Sequence, residues 1–157
     1  MIEPGPVVLL TTAHKGRPNV MTMSWHMMVE FEPPLIACVV SEANFSFAAL
    51  RSTGEAVIAI PARRLASQVV KVGNCSGRDT DKWRAAGLYP HPSTVVAVPR
   101  VKEAVLAVEC RVLATFDLDP QRFLDASVNE FYPKADYHRA FVGEAVAVWA
   151  TNGFTLR

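Results

Sequence analysis

Short runs of β-branched and apolar residues follow one another along the chain, and most of them end near glycine, proline or small polar residues. Runs of this length and composition are typical of buried β-strands. The sequence predicts strands over residues 7–12, 20–28, 35–41, 55–61, 94–98, 103–118 and 141–150. A doubly wound α/β fold needs regular alternation of strands and helices, which the second half of the chain lacks. The pattern therefore favours a mainly β fold, a mostly antiparallel barrel with a few short helices.

A few helical segments separate the predicted strands. The sequence predicts them over residues 44–54, 62–73, 79–87 and 121–129. Asn44 and Asp79 are expected to cap the first and third of these helices, because their side chains accept hydrogen bonds from unpaired backbone amides. Gly54 and Gly87 are expected to end the same helices, since glycine adopts the left-handed conformation at low cost.

The size and charge of the chain limit its class. With 157 residues, the chain is expected to form a single domain over residues 1–157. Half of the residues are hydrophobic, and the formal net charge is +1. This near-neutral balance gives no reason to expect a nucleic acid or a membrane surface as a partner.

The cysteines and the apolar runs predict a cytoplasmic protein. Cys38, Cys75 and Cys110 are odd in number and widely spaced, so a disulfide framework is not expected. Their spacing also matches no zinc-binding pattern, and no metal site is expected. The N-terminal residues lack the pattern of a secretory signal, and no run approaches the roughly 20 apolar residues that span a membrane.

The stretch NVMTMSWHMM, residues 19–28, has two different faces if it forms one strand. Alternation places Met21, Met23, Trp25 and Met27 on one face and Val20, Thr22, Ser24, His26 and Met28 on the other. One interpretation is a core strand whose methionines pack in the barrel and whose second face is exposed to solvent. The other is that the row of two hydroxyls and an imidazole contacts a polar ligand.

Two further stretches carry groups that suit an anion. In SEANFSF, Ser46 falls in the first turn of a predicted helix, where unpaired amides and the helix dipole favour a phosphate. Ordinary capping by Asn44 explains the same pattern. In CSGRDTDKW, the flexible loop around Gly77 is flanked by Arg78 and Lys82, although this pattern also fits an exposed helix start. Cys75 has no identifiable partner base, and no catalytic residue is assigned.

The order of these motifs resembles the flavin reductase-like family, which includes flavoredoxin-type proteins. The resemblance rests on N-x-M-T-x-S-W, a Pro-Pro before an apolar strand, N-F-S-F, a strand ending in Ile-Pro, and K-V-G-x-C-S-G-R-D-x-D-K-W-x-x-A-G-L. It is clear over residues 7–88 and less specific through LAVECRV and FVGEAVAVW. It implies an FMN-binding split β-barrel and a homodimer with FMN near the subunit interface.

The resemblance also assigns residues to the cofactor. It implies that the isoalloxazine ring is lined by Met21, Thr22, Met23, Ser24, Trp25 and His26, with Ser41 near the flavin or its ribityl chain. It implies that Asn44 and Ser46 lie near the phosphate, and that Ser76, Gly77 and Lys82 belong to the loop and helix that close over the cofactor. Many relatives carry arginine where Asn44 stands, which leaves more of the phosphate charge to Lys82.

The resemblance implies an NAD(P)H-dependent flavin reductase, in which hydride passes from NADH or NADPH to the flavin and on to an acceptor. No G-x-G-x-x-G motif follows the first strand, so a Rossmann nucleotide site is not supported. The cofactor carries this chemistry without a required side-chain acid or base, and His26 is a candidate neighbour of the ring or nicotinamide. Two alternatives remain open at this point: a non-enzymatic FMN-binding electron carrier, and a barrel that has lost FMN.

Overall fold

A computed structural model of the chain describes residues 6–152 and 154. The strands are β1 (Val8–His14), β2 (Arg17–Met23), β3 (His26–Glu30), β4 (Leu35–Ser41), β5 (Glu55–Ile60), β6 (Pro90–His91), β7 (Arg100–Val101), β8 (Leu106–Asp117) and β9 (His138–Ala150). The α-helices are α1 (Phe45–Thr53), α2 (Ala66–Gly73) and α3 (Lys82–Ala86). Short 3₁₀ helices cover Arg63–Leu65, Pro120–Arg122 and Ala126–Phe131. No helix in the described ranges is long and apolar enough to cross a membrane.

One antiparallel sheet dominates the molecule. Its seven strands follow the order β2-β1-β5-β8-β9-β4-β3, while β6 and β7 form a separate two-stranded ladder. The long strands β8 and β9 pair through most of their length, with irregularities between Glu109 and Cys110 and between Val112 and Ala114. The prediction of a mainly β, mostly antiparallel fold is therefore confirmed.

The first strand contributes to the core on both of its faces. Leu10 packs in a cluster that includes Val40, Phe47 and Phe141, whereas its neighbour Leu9 packs in a second cluster. The second cluster lies beneath α2 and α3 and contains Val20, Val69, Val72 and Trp83. Since successive side chains of a strand point to opposite faces, burial on both faces explains the unbroken apolar run at the start of the chain.

The prediction of a single strand over residues 20–28 is wrong. Strand β2 ends at Met23, and the backbone turns at Ser24, whose carbonyl accepts a 3.1 Å hydrogen bond from the His26 amide. Strand β3 then begins at His26 and pairs with β4, whereas β2 pairs with β1. The carbonyl of Trp25 accepts from the Val39 amide at 2.9 Å, which fixes the turn. The alternation assumed across residues 20–28 is therefore interrupted between the two strands.

This short connection shows how the sheet is curved. Strands β2 and β3 stand at opposite ends of the strand order, yet Ser24 and Trp25 alone lie between them. An extended chain covers at most about 3.6 Å per residue, so the end of β2 and the start of β3 lie within about 11 Å of each other. The sheet must therefore roll until its two end strands approach, and the result is an incompletely closed barrel.

Residues 94–98 form bends and no strand, contrary to the prediction. The backbone amides of Thr94, Val95 and Val96 donate to the carboxylate of Glu109 at 2.7, 2.7 and 3.2 Å. Glu109 lies within β8 and is fully buried. Burial by itself raises the pKa of Glu109, but the three backbone donors bring this pKa below its ordinary value. The Glu109 carboxylate thus accepts the hydrogen bonds that the carbonyl groups of a neighbouring strand would otherwise accept from these amides.

The predicted helix ends are correct in part. Gly54 ends α1 with a φ of 65°, and its amide donates to the Leu50 carbonyl at 2.9 Å. Asp81 caps α3 by accepting from the Arg84 amide at 3.2 Å, so the prediction of Asp79 as the cap is wrong. The helix predicted over residues 121–129 is instead two separate 3₁₀ turns.

Candidate functional site

A cavity of about 540 Å³ opens between β2, the start of α1, the end of α2 and the loop that leads into α3. It contains the residues that the sequence indicated for an anion, although they come from distant parts of the chain. The predicted site residues on its wall are Met21, Thr22, Asn44, Ser46, Ser76, Gly77 and Lys82. The fold therefore brings the three motifs together at one place.

Ser46 presents a hydroxyl on the cavity wall although the residue is only 1% exposed. Its Oγ accepts a 2.9 Å hydrogen bond from Nδ2 of Asn19. Asn19 is itself buried and lines the same cavity, but the sequence analysis did not assign it to the site. The sequence signal for Asn19 was its position in β2, on the same face of the strand as Met21 and Met23. A polar side chain on a buried face needs a hydrogen-bond partner.

The start of α1 leaves backbone donors near the cavity. Asn44 occupies the N-cap position but makes no capping hydrogen bond, because its Oδ1 accepts from the Ser41 amide at 3.2 Å. The predicted N-cap position of Asn44 is therefore confirmed, but the expected side-chain capping hydrogen bond is absent. Phe45 and Ser46, the first residues of α1, line the cavity, and the amides at a helix start have no intrahelical partner and carry the positive end of the helix dipole.

Two cationic side chains also line the cavity. Lys82 is 7% exposed, and its Nζ donates to the Val72 carbonyl at 3.0 Å. Burial lowers the pKa of Lys82, and the nearby Cys75 acts in the opposite direction. An ammonium group has three donors, so Lys82 keeps two for other acceptors. Arg78 also lines the cavity and is exposed.

Gly77 is required by close packing. A Cβ added to Gly77 would lie 2.3 Å from Asn19 Oδ1 and 2.6 Å from Cδ1 of Phe45. The loop therefore approaches β2 and α1 more closely than any residue with a side chain would allow at position 77. This contact closes the cavity on the side of the loop.

Several other predicted residues lie away from this cavity. Met23 is buried in the core, and Ser41 Oγ donates to the Asp136 carbonyl at 3.0 Å. His26 Nε2 donates to the Pro6 carbonyl at 2.9 Å. Trp25 is 45% exposed, and its ring lies 4.8 Å from that of His138.

The polar row predicted for residues 22–26 is not a continuous surface. Thr22 lines the cavity, but its hydroxyl donates to the Val69 carbonyl at 2.6 Å. The turn at Ser24 separates Thr22 from His26, and the two residues belong to different ladders. Among residues 6–152 and 154, no group of three or more histidine, cysteine, aspartate or glutamate side chains is placed to hold a metal ion.

Strand β3 presents an apolar surface at the edge of the sheet. Its exposed apolar side chains are Met27 (63%), Met28 (49%) and Val29 (49%), Glu30 beside them is exposed too, and Phe31 follows at 83%. The interpretation of the methionines as barrel packing is therefore wrong for Met27 and Met28. Exposed apolar side chains on an edge strand mark a place where another surface can pack.

The chain belongs to the flavin reductase like domain family, whose model matches residues 2–156. It is 34% identical over 145 residues to the uncharacterized protein YddH of Escherichia coli, a match that covers 90% of this chain and 76% of that protein. It spans 50–60% of the length of three further relatives. Membership of this family connects the chain with flavin chemistry.

Two solved structures resemble the fold closely. Flavoredoxin of Desulfovibrio vulgaris superposes with a TM-score of 0.78 at 25% identity, covering 96% of this chain and 72% of that chain. An FMN-binding protein from Thermus thermophilus has a TM-score of 0.75, also at 25% identity, with the same coverage of 96% and 72%. The expected split-barrel fold is confirmed.

Proposed function

We propose that the chain binds FMN in the cavity between β2, α1, α2 and α3, with the phosphate held by Ser46, Lys82 and Arg78. The observation that carries this proposal is the convergence of a buried hydroxyl, a buried ammonium group and helix amides on one cavity wall. Charge-assisted hydrogen bonds of this kind suit a phosphate dianion. The likeness to an FMN-binding protein from Thermus thermophilus supports the choice of FMN.

The ring of the flavin would lie toward the β2 end of the cavity, against Met21 and Thr22. Thr22 is fixed by its bond to Val69, so it offers the ring a rigid wall. Contacts from Met23, Ser24 and Trp25 remain predictions, as do those from His26 and Ser41.

We also propose that two copies of the chain associate through the exposed apolar surface of β3. Burying Met27, Val29 and Phe31 against a second copy would remove these side chains from water. Such self-association would pair the same surface on both chains, as in a twofold-symmetric dimer, the commonest form of oligomer. A cofactor near that interface would then be enclosed by both copies.

The proposed activity is that of an oxidoreductase which uses NADH or NADPH. Bound FMN would supply reversible acceptance of a hydride and its transfer to a further acceptor. The described residues of the cavity bind and orient: Lys82 and Ser46 hold an anion, and Gly77 lets the loop close against Asn19. A cytoplasmic location is proposed as well, because Cys38, Cys75 and Cys110 are all free.

The test is the visible spectrum of the purified protein, with and without added FMN, followed by anaerobic addition of NADH or NADPH. A bound flavin spectrum that either nucleotide bleaches is expected. A protein that shows no flavin binding even with added FMN contradicts the proposal. A bound flavin that neither nucleotide reduces favours an electron carrier, a role that the likeness to flavoredoxin supports.

A further inference from the structure

Asn19 joins two elements on the wall of the cavity. It lies in β2 and is 5% exposed, and its Nδ2 donates a 2.9 Å hydrogen bond to Oγ of Ser46 in the first turn of α1. Both residues line the cavity. A buried carboxamide that donates to one hydroxyl restricts how that hydroxyl can orient.

The direction of this hydrogen bond decides what Ser46 offers to a ligand. A serine hydroxyl has one proton to donate and two lone pairs that accept. Because the side-chain nitrogen of Asn19 can only donate hydrogen bonds, Ser46 Oγ must be the acceptor and keeps its own proton. The Ser46 hydroxyl is therefore available as a donor on the cavity wall, which suits an oxygen of an anion.

The loop around Gly77 holds the Asn19 side chain in place. A Cβ at Gly77 would meet Asn19 Oδ1 at 2.3 Å, so the loop backbone lies directly against the carboxamide oxygen. The same Cβ would meet the Phe45 ring at 2.6 Å. The carboxamide is thus enclosed between β2, the loop and the start of α1.

The geometry points to Asn19 as the positioning residue that makes Ser46 a donor to the phosphate of a bound flavin mononucleotide. This inference rests on the proposed function and adds the feature that selects a phosphorylated flavin over riboflavin. Asn19 acts through Ser46 and needs no contact with the ring. Its removal should therefore reduce affinity for FMN while leaving affinity for riboflavin nearly unchanged.

The sharpest test is Asn19→Asp, which keeps the shape of the side chain. The introduced carboxylate has no proton to donate at neutral pH, so it accepts the Ser46 proton and leaves Ser46 unable to donate to phosphate. Affinity for FMN, measured by quenching of flavin fluorescence, is expected to fall roughly tenfold to a hundredfold. Affinity for riboflavin should change by less than about threefold, because a lost hydrogen bond to phosphate cannot affect it. The FMN defect should recover as the pH falls and the new carboxyl becomes protonated.

The matched control is Asn74→Asp, which places the same charge on the same cavity wall. Asn74 is exposed and makes no hydrogen bond to Ser46, so the control reports the effect of a carboxylate near the ligand without a change at Ser46. A loss of FMN affinity in Asn74→Asp as large as that in Asn19→Asp would overturn the inference. An equal loss for riboflavin and FMN in Asn19→Asp would overturn it too.

A double-mutant cycle keeps the inference testable if the aspartate variant does not fold. Asn19→Ala, Ser46→Ala and the double variant are compared for FMN affinity and for melting temperature. If Asn19 acts through Ser46, the double variant loses no more FMN affinity than Ser46→Ala alone. Additive losses contradict the positioning role and leave FMN binding itself intact. A wild-type protein that binds neither flavin contradicts the proposed function instead.

Discussion

Ser46 combines near-complete burial with a hydroxyl on a cavity wall, and Lys82 combines burial with a charge. Such groups are costly to bury unless they have partners, and Lys82 has the Val72 carbonyl as one partner. The sequence motifs named both residues but could not show that they line one cavity. That proximity depends on how α1 and α3 pack around β2.

Replacing both groups should weaken FMN binding. Ser46→Ala combined with Lys82→Ala removes a hydroxyl and a charge-assisted hydrogen bond, which together are expected to cost about 2–4 kcal/mol of binding free energy. The measurement is the FMN dissociation constant by fluorescence titration. Lys71→Ala, which removes an exposed lysine from α2, is the matched control and should leave the constant unchanged. An unaltered FMN affinity in the double variant would show that the phosphate binds elsewhere.

Gly77→Ala should destabilise the protein and reduce FMN affinity together. The added methyl group would lie 2.3 Å from Asn19 Oδ1, so β2 and the loop must separate, at a cost of about 1–3 kcal/mol. Urea denaturation gives the stability, and FMN titration gives the affinity. Gly73→Ala is the control for stability, because its Cβ would have its nearest contact at 3.5 Å and alanine favours the helix. Equal stability of the two variants would contradict the packing argument.

At the scale of elements, the apolar runs predicted most strands correctly because each of these strands buries several apolar side chains in the core. Two predictions failed for identifiable reasons. Residues 20–28 look like one strand because Ser24 and Trp25 differ little in composition from their neighbours, and the turn between β2 and β3 is held in part by a hydrogen bond from the distant Val39 amide to the Trp25 carbonyl. Residues 94–98 have strand composition, but the amides of residues 94–96 donate to Glu109 and the Ala97 amide donates to Glu55, both distant in sequence. Local patterns contain no information about either partner.

Glu109 should make the folding stability of the protein depend on pH. Its pKa in the folded state is below the ordinary value of 4.5, so the carboxylate stabilises the fold fully above that pH. This contribution is lost as the pH falls through the folded pKa. Glu109→Gln is expected to cost about 1–3 kcal/mol at neutral pH, because amides of residues 94–96 lose an ionised acceptor.

Urea denaturation at neutral pH and at pH values below 4.5 measures this effect. The difference in stability between the wild type and Glu109→Gln should shrink on acidification. Glu130→Gln is the control, since Glu130 is exposed, and it should follow the wild type throughout. A constant difference between Glu109→Gln and the wild type at all pH values would contradict the assigned role of the carboxylate.

At the scale of the whole molecule, the exposed surface of β3 is the feature that a single chain leaves unsatisfied. Met27→Asp places a charge in the centre of this surface, where Met27 is 63% exposed in the isolated chain. A dimer that buries the surface should dissociate, because an unpaired buried charge is costly. Sedimentation equilibrium measures the mass. Val70→Asp, at a 61% exposed position on α2, should leave the mass unchanged. A wild-type protein that sediments as a monomer contradicts the proposed association.

The connection through Ser24 and Trp25 has a mechanical consequence. Two residues provide almost no slack, so a displacement of β3 is transmitted to β2 unless the backbone rotates at these positions. Met21 and Thr22, which line the cavity, stand beside the end of β2. A movement of the exposed edge strand β3 is thus expected to pass through Ser24 and Trp25 to the cavity wall.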